Sequence, residues 1–244
     1  MTLQPTGATG ATGPTELVPP ALGSGAMFDR IAARYDVLNR VLSFGTDLSW
    51  RRRAIGRAQI RPGLTVLDVG AGTGDLSFAA AARGAEVIAI DLSSGMLAVL
   101  ARRSTEAQRV RIKALVGSAE SLPLPDASVD RIVTGFTVRN VGDLGRAFAE
   151  FRRVLRPGGR AVILELSHPP GAAFAQLYAF YFERLAPAIA MLLGGDREAY
   201  RYLPRSLRAF PEPERLAAML RDAGFRVTFE RLTGGIAAIH TAEV

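Results

Sequence analysis

Hydrophobic residues between Met27 and Ile60 recur every three or four positions, which is the spacing of the buried face of an α-helix. The pattern is interrupted at Ser43-Phe44-Gly45, so it predicts two or three short helices. Beyond the Pro62-Gly63 turn, short apolar runs alternate with segments of helical periodicity. Strands that alternate with helices in this way form an open, mostly parallel sheet with helices on both faces.

The alternating region predicts five strands and three helices. The predicted strands are Leu64–Val69, Glu86–Asp91, Arg111–Val116, Val129–Thr134 and Arg160–Leu166, and the predicted helices are Asp75–Ala82, Gly95–Arg102 and Leu144–Leu155. Residues 171–210 are expected to be mostly helical and are rich in aromatic side chains. A helix at Glu212–Asp222 then precedes two strands, Phe225–Leu232 and Ile236–Thr241, which form a hairpin around Gly234-Gly235.

The chain is predicted to form one α/β domain over residues 26–244. Within it, residues 26–60 form a helical lid, although plain helix packing is an equal alternative, and residues 171–210 form a helical insertion at the substrate pocket. Residues 1–25 contain no lysine or arginine and include the low-complexity run TGATGATGPT. That composition predicts a disordered tail and not a signal peptide.

Composition excludes several classes of chemistry. The 244 residues include no cysteine, which excludes disulfides, thiolate zinc sites, iron–sulfur clusters and a cysteine nucleophile. The two histidines, His168 and His240, are too few for a multi-histidine centre, so no metal site is expected. The net charge of +7 suits an anionic lipid, a nucleic acid or an acidic ligand. No stretch of the sequence predicts a membrane-spanning helix.

The most informative segment joins the first predicted strand to a helix. Its glycines, Gly70, Gly72 and Gly74, have G-x-G-x-G spacing, which differs from the G-x-G-x-x-G of dinucleotide-binding loops. Asp75 follows them and would repel a pyrophosphate, so the loop favours a neutral or cationic ligand. Asp91 ends the next strand, where a carboxylate binds both hydroxyls of a ribose. Together they indicate S-adenosylmethionine; a tight turn with a helix-capping aspartate is the structural alternative.

Two further loops are expected at the carboxyl ends of strands, where open α/β sheets bind ligands. Ser118-Ala119-Glu120 follows the third strand and offers polar atoms to the edge of an adenine. The segment from Gly135 to Asn140 follows the fourth strand and faces the glycine loop across the crevice.

These motifs together resemble those of the class I S-adenosylmethionine-dependent methyltransferases. Flanking segments are similar to the ubiquinone/menaquinone biosynthesis C-methyltransferases, from about Met27 to the C-terminus. The segments that carry this similarity are Met27–Asp36, Leu42–Gly45, Trp50-Arg51, Arg139–Val141, Tyr200–Leu203 and Leu232–Gly235. The resemblance implies a Rossmann-like methyltransferase fold, with a mostly parallel seven-stranded sheet and a C-terminal antiparallel hairpin. It also implies cofactor contacts at Thr73, Asp91, Ser118, Ala119 and Gly135, the last of which is commonly serine in the family.

The resemblance further implies methyl transfer to a ring carbon of a prenylated quinol. Loss of a phenolic proton places negative charge on the ring carbon beside the oxygen, so no cysteine nucleophile is needed. Arg139 is the candidate for stabilising that oxyanion, and a structural pairing with a nearby acid is the alternative. Asn140 completes the predicted catalytic pair and is expected to orient the loop.

Four tyrosines, Tyr178, Tyr181, Tyr200 and Tyr202, are predicted to line the quinol pocket, with plain core packing as the alternative. The run from Tyr178 to Phe182 is apolar on every side, which indicates either full burial or an apolar ligand. His168 and His240 are expected to have ordinary structural roles.

Several functional alternatives stay open at this point. A dehydrogenase is disfavoured by the glycine spacing. A nucleic-acid methyltransferase is disfavoured because Gly135–Val138 lacks the Asn/Asp-Pro-Pro-aromatic motif, so no nucleic acid is expected as a partner. A non-catalytic scaffold in quinone synthesis is the third alternative. Demethylmenaquinol is the expected acceptor, with 2-polyprenyl-6-methoxy-1,4-benzoquinol as its alternative. The expected location is the bacterial cytoplasm, with peripheral contact at the inner membrane face and a homodimer left open.

Overall fold

One sheet of seven strands organises the chain. The computed structural model describes residues 25–32, 35–192 and 204–244. Its strands are β1 Thr65–Val69, β2 Glu86–Asp91, β3 Ile112–Val116, β4 Val129–Gly135, β5 Leu155–Leu166, β6 Arg226–Leu232 and β7 Ala237–Glu243. Their order is β3-β2-β1-β4-β5-β7-β6, and only β7 runs antiparallel to its neighbours. The predicted parallel sheet and C-terminal hairpin are confirmed.

Helices cover both faces of this sheet. Those with complete bounds are α1 Gly25–Ile31, α2 Tyr35–Leu42, α3 Thr46–Arg57, α4 Asp75–Ala81, α5 Ser94–Arg103, α6 Glu106–Arg111, α7 Leu144–Val154, α8 Ala172–Phe180, α9 Ala186–Leu192 and α10 Pro213–Asp222. A π-helical turn, Tyr181–Leu185, joins α8 to α9, and residues 204–209 are also helical. The predicted break between α2 and α3 is confirmed, since Phe44 and Gly45 both have positive φ.

Most predicted boundaries lie within one or two residues of the observed ones, and the two larger differences, an unpredicted helix and an early strand start, have local reasons. Helix α6 was not predicted because none of its residues is buried, so it has no apolar periodicity; a capping box between Thr105 and Gln108 begins it instead. Strand β5 begins at Leu155 and not at Arg160, because Leu155 pairs with Val129 before an irregularity in the β4–β5 ladder.

A crevice lies at the carboxyl ends of β1 and β4. The chain proceeds from β1 outward to β2 and β3, then returns to place β4 on the other side of β1. In open α/β sheets, ligands bind where the strand order reverses in this way. Buried side chains of α3 and α4 pack on one face of the sheet, and those of α7 and α10 pack on the other.

The N-terminal helices form a separate apolar cluster. Met27, Ile31, Leu38 and Leu42 of α1 and α2 pack against Met96 of α5 and against α9. Helices α1 and α2 therefore lie beside the crevice; a lid function for residues 26–60 stays a prediction. The predicted disordered tail falls on residues outside those that the structure describes, apart from Gly25.

His240 is a buried, uncharged histidine in β7. Its Nε2 lies 2.9 Å from the carbonyl oxygen of Pro213, and its ring stacks on Phe229. Burial lowers the pKa of His240 to about 4. As the pH falls, this histidine is therefore protonated in the unfolded chain at a higher pH than in the folded one.

We predict that this histidine makes the folded state less stable in acid. Because a folded-state pKa below the unfolded value favours folding only above that unfolded value, the contribution of His240 to stability should fall between about pH 6.5 and pH 4, by up to about 3 kcal/mol. Asp68 contributes in the opposite direction, since burial raises its pKa to about 7. Denaturant unfolding at several pH values measures the slope. His240→Gln, which keeps a side-chain donor, should remove the share of the slope that comes from His240; equal slopes in wild type and His240→Gln would contradict the prediction.

Candidate active site

The glycine loop adopts a backbone conformation that other residues rarely take. Gly70, Gly72 and Gly74 have φ of +66°, +55° and +97°. A Cβ atom on Gly70 would lie 2.2 Å from the side chain of Thr137, so this position has no room for one. A Cβ on Gly72 would meet nothing within 4 Å, because Gly72 faces open space. The loop thus exposes bare backbone to the crevice in front of it.

The crevice has a volume of about 180 Å³ and gathers most of the predicted cofactor residues. Those lining it are Gly70, Gly72, Thr73, Asp91, Ser118, Ala119 and Gly135. Gly74 is absent from the lining; it is the N-cap residue just before helix α4, and a Cβ atom there would lie 2.8 Å from Leu100 and 2.9 Å from Phe78. The side chains of Phe28, from α1, and Arg51, from α3, also line this crevice, and neither was among the predicted contacts.

Asp91 connects the glycine loop to the end of β2. One carboxylate oxygen accepts a hydrogen bond from the backbone N–H of Gly72, and the other accepts one from that of Ser93, both at 2.8 Å. Burial raises the pKa of Asp91. Each carboxylate oxygen has two lone pairs, so Asp91 retains acceptor capacity toward the hydroxyls of a ribose.

Thr73 is bound by the N-terminal region of the chain. Its hydroxyl donates to Asp36 of α2 at 2.6 Å, and Arg103 donates both to the other oxygen of Asp36 and to the carbonyl of Thr73. Asp29 of α1 accepts similar hydrogen bonds from Ser93 and Gly95. Two aspartates of the N-terminal helices are therefore attached to the loops that border the crevice.

The electrostatic role predicted for Asp75 is weaker in the structure. Arg103 donates to its carboxylate at 2.7 Å, and nitrogen atoms of Arg40 and Arg51 lie 3.8 Å from it. These arginines offset the negative charge that was expected to repel a pyrophosphate. Selection of the ligand therefore rests more on loop spacing and Asp91 than on Asp75.

Glu120 joins two loops of the crevice rather than presenting its carboxylate outward. Its Oε1 accepts hydrogen bonds from the backbone N–H groups of Gly142 and Asp143. Its own N–H donates to the hydroxyl of Ser118. The predicted polar edge for adenine is consequently reduced to Ser118 and the backbone around Ala119.

A second, apolar cavity of about 380 Å³ adjoins the crevice. Arg51 and Phe136 line both spaces. Most of the remaining wall comes from α2, α3, the turn between them, α8 and the π-helical turn, and it includes Leu42, Phe44, Trp50, Phe174, Leu177, Tyr178, Phe180, Tyr181, Phe182 and Leu185.

The predicted substrate tyrosines have different positions. The hydroxyl of Tyr178 is buried and has no hydrogen-bond partner among the described residues, and burial raises the pKa of this phenol. Tyr181 lines the cavity with its ring, but its hydroxyl donates to the carbonyl of Leu42 at 2.7 Å and serves packing. Tyr200 and Tyr202 lie outside the described residues.

Arg139 forms a buried ion pair in the wall of the apolar cavity. Its Nη1 donates to Glu165 at 2.5 Å and to the carbonyl oxygen of Phe136 at 3.0 Å. The two side chains are 7% and 1% exposed. The sequence did not single out Glu165, although its place at the end of β5, next to β4, was a signal. Asn140 lies at the crevice, and its side chain lies 3.4 Å from the carbonyl oxygen of Phe136.

Comparison with known proteins now gives the family. The profile described as the ubiE/COQ5 methyltransferase family matches residues 23–243. The chain is 48% identical to a demethylmenaquinone methyltransferase of Thermus thermophilus over 219 residues, which cover 89% of this chain and 99% of that one. It is 44% identical to a ubiquinone/menaquinone biosynthesis C-methyltransferase UbiE of Acidiphilium cryptum, with 88% of each chain covered. The chain belongs to the ubiE/COQ5 methyltransferase family.

Solved structures agree with the fold. A methyltransferase from Aquifex aeolicus that depends on S-adenosylmethionine has a TM-score of 0.59 at 20% identity, with 80% of this chain and 89% of that chain covered. The [4+2]-cyclase SpnF has a TM-score of 0.68 at 21% identity, with 92% and 96% covered. This chain is an S-adenosylmethionine-dependent C-methyltransferase with the class I fold, which sets aside the dehydrogenase and scaffold alternatives.

The residues of the crevice fit the cofactor. Gly72 leaves open space where any side chain would intrude, and Asp91 offers carboxylate oxygens beside it. Asp91 would hold the ribose, and Ser118 and Ala119 would lie along the adenine. The described residues contain no cluster of metal-ligating side chains near them.

We predict that Asp91→Ala lowers affinity for S-adenosylmethionine by more than about a hundredfold, because it removes the ribose acceptor and also frees the N–H of Gly72. Isothermal titration calorimetry measures this directly. Asp91→Asn, which keeps one acceptor oxygen, should lose less affinity, and the exposed Asp222→Ala should lose none. Unchanged affinity in Asp91→Ala would exclude the ribose assignment.

Proposed function

We propose that this enzyme methylates a ring carbon of demethylmenaquinol, a prenylated naphthoquinol of respiratory quinone biosynthesis. Relatives from Thermus thermophilus and Deinococcus radiodurans, 48% and 45% identical, carry the name demethylmenaquinone methyltransferase. The observation that carries the proposal is the apolar cavity that lies next to the cofactor crevice and shares Arg51 and Phe136 with it as lining residues.

The cavity suits an aromatic ring with an apolar tail. Aromatic side chains of the cavity pack against one another, with the rings of Tyr178 and Phe182 only 4.6 Å apart. Toward its mouth the lining side chains are exposed apolar ones, namely Phe44, Phe174, Leu177, Phe180 and Leu185. The ring would lie near Phe136, and the prenyl chain would extend outward over these side chains.

The chemistry needs an acceptor carbon made nucleophilic at the right place. S-adenosylmethionine, when bound, supplies a methyl group carried on a sulfonium. The protein's part is to hold the quinol ring against the crevice and to favour ionisation of its hydroxyl, since phenols titrate near pH 10 in water. Arg139 is the proposed cation for that oxygen, and Asn140 the residue that orients its loop. Glu165 holds Arg139 in place.

The experiment for the proposed function supplies the purified enzyme with S-adenosylmethionine and a short-chain demethylnaphthoquinol under anaerobic conditions. Mass spectrometry should find one added methyl group on the ring. The oxidised quinone should not react, because its ring carbon carries no phenolate charge. A matched benzoquinol tests the alternative acceptor, and methylation of that compound alone would contradict the naphthoquinol assignment.

We predict distinct effects on stability and turnover when the Arg139–Glu165 pair is altered. Arg139→Met alone leaves a buried carboxylate unpaired and should cost about 3–5 kcal/mol of stability. Arg139→Met with Glu165→Gln removes both charges and keeps an acceptor for the neighbouring backbone, so stability should largely return. If Arg139 acts on the oxyanion, the double variant should still lose about 100-fold or more in kcat.

Unfolding by denaturant and turnover at saturating quinol measure these two effects, and calorimetry should show unchanged cofactor affinity. A stable double variant with wild-type turnover would assign Arg139 a structural role only.

We also propose that the mouth of the cavity rests against an anionic bilayer. Phe44 is 78% exposed and Leu177 63%, and the basic side chain of Arg184, in the π-helical turn, is also exposed. No helix among the described residues is both long and apolar enough to span a membrane. A prenylated substrate that stays in the lipid phase would enter through such a mouth.

Vesicles containing phosphatidylglycerol provide the test. We expect co-sedimentation of the protein to weaken as salt rises from 0.1 to 1 M, because the screening length shortens from about 10 Å to about 3 Å. Replacing Phe44 and Phe180 by serine should reduce binding about tenfold or more. The control is Val110→Ser, an equally exposed apolar side chain on α6 near the β3 edge. Binding unaffected by the double replacement would exclude this surface.

A further inference from the structure

Arg51 occupies the junction between the two cavities of the site. It lies on α3 and, with Phe136, lines both the cofactor crevice and the apolar cavity. Its side chain is 14% exposed. The wall at Arg139 belongs to the apolar cavity only. Among the described residues, the guanidinium groups of Arg51 and Arg139 line these cavities, and that of Arg51 borders both of them.

The hydrogen-bonding capacity of Arg51 is unused within the part of the chain that the structure describes. Its buried Nε has no hydrogen-bond partner there, and its ion pairs are long, at 3.7 Å to Asp47 and 3.8 Å to Asp75. Its guanidinium carbon lies 5.0 Å from the ring centroid of Phe136. Buried donors are normally paired, so a guanidinium in this state is suited to an external acceptor.

The position of Gly135 keeps space beside this guanidinium. A Cβ atom at residue 135 would lie 3.6 Å from Nη1 of Arg51 and 3.0 Å from Leu76. The glycine therefore leaves the crevice side of Arg51 open.

The carboxylates around Arg51 neutralise its positive charge only in part. Asp47 is buried and accepts a hydrogen bond from Ser43, so it presents its second oxygen toward Arg51. Asp75 is shared with Arg103 and Arg40. Burial raises the pKa of Asp68, in β1, and the positive charge of Arg51 partly offsets that rise. Because neither neighbouring carboxylate makes a short contact, part of the positive charge stays available.

We propose that Arg51 binds the ionised oxygen of the acceptor ring, adjacent to the carbon that is methylated. This inference rests on the proposed function and adds Arg51 as a second cation for the oxygen already assigned to Arg139; both guanidinium groups line the apolar cavity. The step assigned to Arg51 is a proton equilibrium: the O–H bond breaks, the electron pair stays on the oxygen, and the proton passes to water. The planar guanidinium then donates to the phenolate with charge-assisted hydrogen bonds.

The test uses 4-nitro-1-naphthol as a probe, because its phenolate absorbs visible light and it needs no turnover. Spectral titration with the intact enzyme, without cofactor, gives the pKa of the bound probe. We expect the wild type to lower that pKa relative to the free probe. Arg51→Gln should raise it by about one unit, equivalent to about a tenfold loss of phenolate affinity. The probe's methyl ether, which cannot ionise, should bind both proteins equally.

A second variant separates this role from a structural one. Asp47→Asn removes a carboxylate that competes for Arg51, so it should bind the phenolate more tightly than wild type does. A merely structural bridge would give weaker binding instead, which would overturn the proposal. Arg52→Gln has the same charge change at an exposed position of α3 and should match the wild type. Arg51→Lys keeps the charge without the planar fork and should restore part of the effect.

The outcomes distinguish this proposal from the proposed function. Wild-type phenolate affinity in Arg51→Gln would overturn the role of Arg51 and leave quinol methylation untouched. Loss of folding in Arg51→Gln would pass the decision to Asp47→Asn, whose expected gain in phenolate affinity is opposite to the loss that a structural bridge would give. Phenolate binding through Arg51 in an enzyme that methylates no quinol would instead contradict the proposed function alone.

Discussion

The close attachment of the glycine loop to the end of β2 is the constraint on which the site depends. The N–H groups of Gly70 and Ala71 both donate to the carbonyl of Ile90, and that of Gly72 donates to Asp91. These bonds require left-handed backbone at Gly70 and Gly72, which only glycine adopts without strain. The same bonds keep a strip of bare backbone facing the crevice, so the fold and the ligand site use one set of contacts.

The fold was largely predictable because its elements carry their own periodicity. The strands of a parallel sheet are buried on both faces, and they read as apolar runs between glycine and proline turns. Prediction failed at α6, whose residues are all outside the core, and at the start of β5, where Leu155 joins the ladder before Gly158 and Gly159. In both cases a local hydrogen-bond pattern, and not burial, determines the boundary.

Site residues that lie close together in the sequence could be predicted, whereas contacts between residues far apart in the sequence could not. Gly70, Gly72 and Asp91 follow from spacing within one strand–helix–strand unit. The partners Asp36 of Thr73, Glu165 of Arg139 and Leu42 of Tyr181 are separated from them by 37, 26 and 139 positions. No periodicity encodes such pairs, since they depend on how helices dock on the sheet. The prediction that the negative charge of Asp75 would repel a pyrophosphate was weakened for the same reason, because Arg103 pairs with this carboxylate from another helix.

The guanidinium groups of Arg51 and Arg139, which both line the apolar cavity, differ in how closely carboxylates neutralise their charge. Glu165 is 1% exposed and in short contact with Arg139, so that pair is nearly neutral and its geometry is fixed. Arg51 has carboxylates on two sides at distances beyond hydrogen bonding, which hold it electrostatically while its donors stay uncommitted. The Arg139 pair therefore suits a contact that orients the ionising oxygen, whereas the under-neutralised guanidinium of Arg51 adds positive charge that favours its ionisation.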